Sequence, residues 1–92
     1  MNNFNGKTAV ITGAASGIGL ALAKYAAAQG MNLVLADIDE TALNTALDQL
    51  NLPADRVLAV RTDVRHASEI KALADAAYAQ FKAVHLLFNN AG

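Results

Sequence analysis

The sequence predicts an α/β fold built on a doubly wound parallel sheet, and two observations lead to this prediction. Short runs of β-branched and aliphatic residues alternate with longer alanine-rich stretches of helical spacing, in the order β-α-β-α-β-α-β. Right-handed crossovers between parallel strands then favour the strand order 3-2-1-4. No repeat, low-complexity tract or linker interrupts the alternation, so we expect residues 1–92 to belong to one domain.

The first strand and the first helix are predicted at residues 7–12 and 17–29. The strand, KTAVIT, ends at Gly13. Gly30 is well placed just after the helix, because glycine adopts the left-handed conformation found there without strain. The stripe expected to be buried on this helix comprises Ile18, Leu22 and Tyr25 or Ala26.

A second strand and a second helix are predicted at residues 32–36 and 40–50. The strand, NLVLA, is mostly apolar. Asp39 is the predicted N-cap of the helix, because its side chain can accept a hydrogen bond from an amide of the first turn. Pro53 follows the helix as a stop signal.

The remaining elements are a third strand at residues 56–61, a helix at 67–82 and a fourth strand at 85–89. The apolar residues at helical spacing on this last helix are Ile70, Leu73, Ala74, Ala77 and Phe81. The crossovers place the first two helices on one face of the sheet and the third on the other. The fourth strand is then an apolar edge that invites pairing with another chain. Ligands of such folds bind outside the carboxyl ends of the strands, here near the first and fourth strands.

Composition and charge exclude several classes of protein. Apolar residues make up 54% of the chain and charged residues 16%, with a net charge of −1, which is typical of a globular domain. Lys and Arg do not cluster, so we expect neither nucleic acid nor an anionic membrane as a partner. The lack of cysteine excludes disulfides, thiolate metal sites and a cysteine nucleophile, and no metal site is expected. Without a signal peptide or an apolar run of about 20 residues, the expected location is cytoplasmic.

The segment TGAASGIG joins the first strand to the first helix and is predicted to bind a pyrophosphate. Gly13 allows a tight turn, Gly17 lets the backbone approach the anion, and Gly19 lets the helix pack closely. The amides around Ser16 and Ile18 face the anion together with the positive end of the helix dipole. The alternative is a glycine-rich turn that serves only tight packing.

Asp37 follows the second strand, eighteen positions after Gly19. A dinucleotide-binding unit needs an acid at this place to accept hydrogen bonds from the adenosine ribose. The same carboxylate would repel a 2′-phosphate, and no basic residue stands at Ile38 to offset it. We therefore expect NAD as the cofactor in preference to NADP. The alternative is that Asp37 only solvates the strand end or caps a turn.

Together these residues resemble a known family, the short-chain dehydrogenases/reductases. The motifs that carry the resemblance are T-G-x-x-x-G-I-G, Asp37, Asp63-Val64 and Asn89-Asn90-Ala91-Gly92. They are similar in order and spacing to the N-terminal half of that family, including its own variant of the glycine spacing, and they cover essentially the whole chain. The resemblance implies a Rossmann-like fold, with residues 1–92 as the first part of an NAD(P)-binding domain that ends before the catalytic segment.

The resemblance also implies roles for the two later motifs. Asp63 is expected to bind the amino group of adenine, and the Val64 backbone to meet the edge of the adenine ring. Residues 89–92 are expected to border the cofactor ribose and to steady the central sheet. The alternatives are a helix cap for Asp63 and simple turn residues for the two asparagines.

No catalytic residue is expected within these 92 residues. The resemblance places the catalytic serine and a Tyr-x-x-x-Lys pair, whose tyrosine is the general acid/base, beyond the fourth strand. Tyr78 and Lys82 have that spacing but precede the fourth strand, so we expect Tyr78 at the edge of the apolar stripe and Lys82 in solvent. His66 and His85 have no metal-ligand spacing nearby and are expected to be turn or strand-edge residues.

The predicted function is the NAD(H)-binding half of an oxidoreductase that interconverts an alcohol and a carbonyl compound, with residues 1–92 alone inactive. The expected partners of a full chain are the dinucleotide, a small alcohol or carbonyl substrate, and further copies in a homo-oligomer. Three alternatives stay open. They are a non-catalytic dinucleotide-binding module that ends at Gly92, an NADP-dependent reductase, and an epimerase or dehydratase of the same extended family.

Overall fold

The computed structural model describes residues 4–90, and within them a parallel sheet of four strands is flanked by three α-helices. The strands are β1 (Thr8–Thr12), β2 (Asn32–Asp37), β3 (Val57–Arg61) and β4 (Leu86–Asn89). The helices are α1 (Gly17–Ala28), α2 (Glu40–Leu50) and α3 (Ala67–Phe81), with a short 3₁₀ helix at Ala54–Arg56. The strand order is β3-β2-β1-β4, which confirms the predicted doubly wound order 3-2-1-4.

Strand β1 is central, because it is hydrogen-bonded in parallel to both β2 and β4. Thr12 at its end lies opposite Ala36 of β2 and Asn89 of β4. Asp37 lies opposite Arg61 at the end of β3. The carboxyl ends of the strands therefore meet at one edge of the sheet, and the direction of the crossovers reverses between β1 and β4.

The sheet separates two apolar cores, because successive side chains of a strand point to opposite faces. The buried residues on the side of α1 and α2 are Ala9, Ile11, Ala14, Ala23, Ala26, Met31, Leu33, Leu35 and Leu43. Those on the side of α3 are Val10, Val34, Ala36, Leu73 and Ala77. This arrangement confirms the prediction that α3 lies alone on its face within the described residues.

The buried stripe of α1 differs from the predicted one. Ile18 and Tyr25 are 69% and 62% exposed, whereas Gly19, Ala23 and Ala26 are buried. The physical reason is that α1 lies close against the sheet and the loop before it, where only small side chains fit. Of the predicted stripe, Ala26 is buried and Leu22 packs against the core, whereas the larger Ile18 and Tyr25 lie on the outer side of the helix.

The apolar face of α3 is only partly covered. Leu73 and Ala77 are buried as predicted, whereas Ile70 and Ala74 are exposed. Leu87 of β4 lies beside them and is 65% exposed. Among the described residues β4 pairs with β1 alone, so it forms the predicted open edge of the sheet.

The ends of the helices follow from local chemistry. Asp39 caps α2 as predicted, because its Oδ1 accepts a hydrogen bond from the Ala42 amide at 3.0 Å. Gly30 has a φ of +80°, which confirms the left-handed turn predicted after α1. Arg56 belongs to the 3₁₀ helix rather than to β3, and its guanidinium donates to the Met31 carbonyl at 2.6 Å.

Candidate functional site

Segments that follow three neighbouring strands converge on a cleft at the carboxyl edge of the sheet. The cleft has a volume of about 230 Å³ and is lined by Gly13, Ala36, Asp37, Ile38, Thr62, Asp63, Val64 and Arg65. Four of these residues are predicted binding residues, namely Gly13, Asp37, Asp63 and Val64. They are distant in sequence, and the parallel register of β1, β2 and β3 brings them together.

The glycine loop after β1 begins with a tight turn. Gly13 has a φ of +63°, a conformation that favours glycine, and this confirms the predicted turn. A side chain at Gly19 would overlap the Gly13 carbonyl oxygen, with its Cβ 2.9 Å from the Ala14 Cα, so Gly19 allows helix and loop to touch. At Gly17, by contrast, a Cβ would have no protein atom within 4 Å. Gly17 therefore borders open space in which a ligand fits.

The start of α1 is held by hydrogen bonds of the Ser16 side chain to the neighbouring loop and strand end rather than by a side-chain cap. Ser16 is the N-cap, but its side chain does not cap the helix. Its hydroxyl instead donates to the Gly13 carbonyl at 2.8 Å and accepts from the Asn90 side chain at 3.1 Å. No side chain therefore competes for the amides of Gly17 and Ile18, which suit an anion because the first amides of a helix lack partners within it.

Asp37 ties the glycine loop to the end of β2. Its Oδ2 accepts from the Ala15 amide at 3.0 Å, and its Oδ1 accepts from the Asp39 amide at 3.0 Å. A carboxylate offers about four acceptor positions, so two are left for further donors such as the hydroxyl groups of a ribose. The backbone bonds also fix the carboxylate in place before any ligand arrives, which reduces the entropy cost of binding.

Asp63 is buried and surrounded by donors. Its carboxylate accepts from Arg65 at three atoms, the backbone amide at 3.0 Å, Nε at 3.0 Å and an Nη at 2.8 Å. The hydrogen bond from the Arg65 side chain holds the pKa of Asp63 well below its usual range, and the Arg65 backbone amide adds to the effect. Glu69 accepts from the Asp63 amide at 2.8 Å and so fixes the backbone of the same turn. The helix-cap alternative is not what the structure has, since His66 is the N-cap of α3.

Part of the cleft lining was not predicted from the sequence as binding residues. Ile38 and Val64 provide apolar walls on opposite sides, of which only Val64 was predicted. Thr62 and Arg65 complete the wall after β3. A pair of aliphatic walls beside two carboxylates suits a flat ring with polar edges, such as adenine. The signal that could have found Ile38 is its place directly after Asp37.

The end of β4 is locked to the glycine loop by hydrogen bonds through Thr12. The Thr12 hydroxyl donates to Asn89 Oδ1 at 3.0 Å and accepts from the Asn90 amide at 3.0 Å. Asn90 Nδ2 reaches the Gly13 carbonyl at 3.4 Å and the Ser16 hydroxyl at 3.1 Å. These contacts join the end of β4 to the glycine loop, whereas the role predicted for residues 89–92 was to border the cofactor ribose and to steady the central sheet. Ala91 and Gly92, which were also predicted to border the cofactor, lie outside the described residues.

Tyr78 and Lys82 lie away from the cleft. Helix α3 starts at the carboxyl edge of the sheet and runs back, so its last turn lies toward the opposite edge. Tyr78 borders an apolar groove with Leu87, and the Lys82 ammonium donates to the Ala79 carbonyl at 3.3 Å. Neither side chain lines the cleft that contains Asp37, as expected for a pair without a catalytic role.

The two histidines make structural contacts. His85 Nδ1 accepts from the buried Thr8 amide at 3.0 Å, at the edge of the sheet opposite to the cleft. His66 Nε2 lies 3.4 Å from Asp63 Oδ2. Within residues 4–90 no group of three or more His, Asp or Glu side chains is placed to hold a metal ion. In that same part of the chain, every helix is too short or too polar to span a membrane.

Comparison with known proteins finds related sequences over nearly the whole length of the chain. The family model described as short chain dehydrogenase matches residues 7–92. The cyclohexanol dehydrogenase of Acinetobacter sp. (strain SE19) is 38% identical over 91 residues, which are 99% of this chain and 36% of that protein. The 7alpha-hydroxysteroid dehydrogenase of Escherichia coli (strain K12) is 39% identical over 97% of this chain and 35% of its own length. The chain thus spans about a third of the length of these relatives.

Solved structures share the fold described above. A short-chain dehydrogenase/reductase from Burkholderia phymatum in complex with NAD has a TM-score of 0.88 and 53% identity, over 95% of this chain and 31% of that one. A short chain dehydrogenase from Bacillus anthracis has a TM-score of 0.92 and 27% identity, over 99% of this chain and 37% of that one.

Proposed function

Because the chain belongs to the short-chain dehydrogenase/reductase family, we propose that it binds NAD(H) at the carboxyl edge of its sheet. We further propose that residues 1–92 are the coenzyme-binding part of a longer oxidoreductase that interconverts an alcohol and a carbonyl compound. The names of two relatives, both dehydrogenases about three times as long, support this second step.

The observation that carries the proposal is the position of Asp37 between the glycine loop and the cleft. Its two backbone hydrogen bonds leave acceptor positions for the adenosine ribose, while Gly17 borders the open space at the start of α1. The carboxylate would repel a 2′-phosphate on that ribose, because like charges brought together cost several kcal/mol. This supports NAD over NADP. The NAD bound to the Burkholderia phymatum protein, which is 53% identical, is in keeping with it.

Within this proposal each group of the chain has a separate task. The amides at the start of α1 bind the pyrophosphate, Asp37 orients the adenosine ribose, and the walls of the cleft enclose the adenine ring. Asn90 and Thr12 hold the loop against β4, so that the cofactor meets a rigid surface. When bound, the cofactor supplies a hydride acceptor or donor. The general acid/base and the substrate pocket belong, on this proposal, to residues that follow in the longer protein.

Binding of NAD and NADP to the purified chain tests the proposal directly. Calorimetric titration is expected to give a tighter dissociation constant for NAD than for NADP. Asp37→Asn removes the charge but keeps an acceptor, so it is expected to weaken NAD binding and to narrow the difference between the two cofactors. Asp75→Asn, which removes a carboxylate from an exposed ion pair on α3, is the matched control and should change neither constant.

Two results would contradict the proposal. If neither cofactor binds at millimolar concentration, the cleft is not a dinucleotide site. If NADP binds more tightly than NAD and Asp37→Asn leaves the ratio unchanged, Asp37 does not select the cofactor.

A further inference from the structure

Three of the roughly four acceptor positions on the Asp63 carboxylate are occupied by hydrogen bonds from Arg65. Arg65 donates from its backbone amide and Nε to Oδ1, and from an Nη to Oδ2. His66 Nε2 approaches Oδ2 at 3.4 Å. A carboxylate has about four acceptor positions, two on each oxygen. Oδ1 is therefore saturated by Arg65, and a further donor, such as the amino group of adenine, has to approach Oδ2, where the Arg65 Nη and the His66 ring already lie.

The guanidinium of Arg65 is the contact that a ligand meets first. Arg65 lines the cleft next to Asp63, whereas His66 does not. The backbone bond of Arg65 belongs to the turn that leads into α3 and is fixed by the fold. The Arg65 side chain, by contrast, is 76% exposed, so water can hydrate the guanidinium once it leaves. Because the Asp63 side chain is only 7% exposed, the guanidinium can leave without isolating a buried charge only when a ligand donor takes its place.

We propose that Arg65 acts as a latch. Its guanidinium competes with the adenine ring for the Asp63 carboxylate and moves away from that carboxylate when a dinucleotide binds. This inference rests on the proposed function, because it takes the cleft to be the adenine site. Arg65 thereby lowers the affinity for adenine nucleotides and reduces the selectivity for the base. A base with a carbonyl oxygen in place of the amino group can accept from Arg65, but it lacks the exocyclic amino group that would donate to Asp63.

Three mononucleotides separate the parts of the site. AMP carries the amino group, IMP carries a carbonyl oxygen at the same position, and NMN carries no adenine. For Arg65→Ala the affinity for AMP is expected to rise about two- to fivefold, the range that exposed ion pairs span. The affinity for IMP is expected to fall or stay constant, and that for NMN to stay constant. The ratio of AMP to IMP affinity therefore rises.

Two further variants and one spectroscopic measurement support the test. Arg65→Lys keeps the charge but cannot make the two-pronged contact, so its AMP affinity is expected to fall between those of the wild type and Arg65→Ala. Lys71→Ala, which breaks an exposed ion pair with Asp75 on the same helix, should leave every affinity unchanged. In the unaltered chain, the NMR resonance of Arg65 Nε is expected to move toward that of a hydrated guanidinium as AMP is added.

The outcomes distinguish the latch from the proposed function. If the wild type binds NAD and AMP but Arg65→Ala binds AMP no more tightly, Arg65 does not compete and the latch is wrong. A weaker affinity of Arg65→Ala for AMP overturns it as well, since the guanidinium then helps to hold the base. If neither NAD nor AMP binds to the wild type, the proposed function fails and the latch fails with it.

Discussion

Asp63 and Arg65 form an ion pair between a buried carboxylate and an exposed guanidinium. The hydrogen bond from the Arg65 side chain keeps Asp63 ionised in the folded chain, since it holds the pKa of that carboxyl well below its usual range. The same charge raises the pKa of Arg65. A charged carboxylate in a half-enclosed cleft can discriminate between donors and acceptors on a base edge. Water hydrates the exposed end of Arg65, and the pair opens without leaving the Asp63 charge buried and unpaired only when a ligand donor replaces the guanidinium.

This ion pair predicts how stability depends on pH. The pKa of Asp63 is lower in the folded chain than in the unfolded chain, where it is about 3.9, so the contact stabilises the fold at pH values above that figure. The contribution is lost as the pH falls toward the lower folded value. Asp63→Asn is therefore expected to flatten the decline of the unfolding midpoint below about pH 4, as followed by circular dichroism. Asp75→Asn is the control and should retain the steeper decline of the wild type; equal slopes for all three chains would contradict the prediction.

At the scale of the element, α1 shows where prediction from sequence succeeds and where it fails. The alternation of strands and helices, the cap at Asp39 and the turn at Gly30 are local signals, and the structure has each of them. The buried stripe of α1 depends instead on how closely the helix approaches the loop before it. That distance is set by tertiary packing of Gly19 against Gly13, so the larger residues Ile18 and Tyr25 are turned outward.

The residues of the candidate site likewise fall into those that the sequence predicts and those that only the folded structure reveals. Gly13 and Asp37 could be predicted because motif spacing and the carboxyl ends of strands mark their place, and Asp63 because the resemblance to a known family implies its role. The tie between Asn90 and the Ser16 hydroxyl could not, because it joins side chains 74 residues apart. Arg65 was missed for another reason. Its side chain belongs to a turn, and only the folded geometry shows that it covers a neighbouring carboxylate.

Gly17 and Gly19 of α1 allow a paired prediction, because they are glycines for different reasons. Gly19→Ala would place a Cβ against the Gly13 carbonyl, and the resulting overpacking is expected to destabilise the fold by about 1–3 kcal/mol. Gly17→Ala meets no protein atom and should leave the stability within about 1 kcal/mol of the wild type, because alanine favours a helix. It is nevertheless expected to abolish NAD binding, since its methyl group fills the space at the pyrophosphate site.

Urea unfolding and calorimetric titration of NAD on both variants check this pair. The expected result is that Gly19→Ala loses stability and that Gly17→Ala loses NAD binding. A Gly17→Ala chain that binds NAD as tightly as the wild type would show that the backbone there does not approach the cofactor.

The whole molecule has one face that its own described residues do not cover. Ile70 and Tyr78 of α3 and Leu87 of β4 are exposed and border an apolar groove of about 270 Å³. Strand β4 also has an unpaired edge among the described residues. A right-handed crossover from β4 to a further parallel strand would place the next helix on the same face as α3. In a protein of the relatives' length, such a segment would cover both the groove and the edge.

When residues 1–92 are produced alone, this face is expected to drive self-association. An unpaired strand edge beside exposed apolar side chains pairs readily with a second copy. Sedimentation velocity over a range of concentrations should show species above the monomer mass of 9.6 kDa. Leu87→Glu places a charge on the face and is expected to shift the distribution toward the monomer. Tyr25→Glu, a similar change at an exposed position of α1 on the other side of the sheet, should not.

The comparison of these two variants decides whether the exposed face of α3 and β4, or nonspecific attraction between chains, causes the self-association. If Leu87→Glu and Tyr25→Glu reduce association equally, the effect is one of net charge, and the face has no special role. If the wild type is monomeric at every concentration, the open edge of β4 does not pair with a second copy and the predicted self-association is wrong. The groove beside Tyr78 then needs no covering segment for the sheet and its cleft to form.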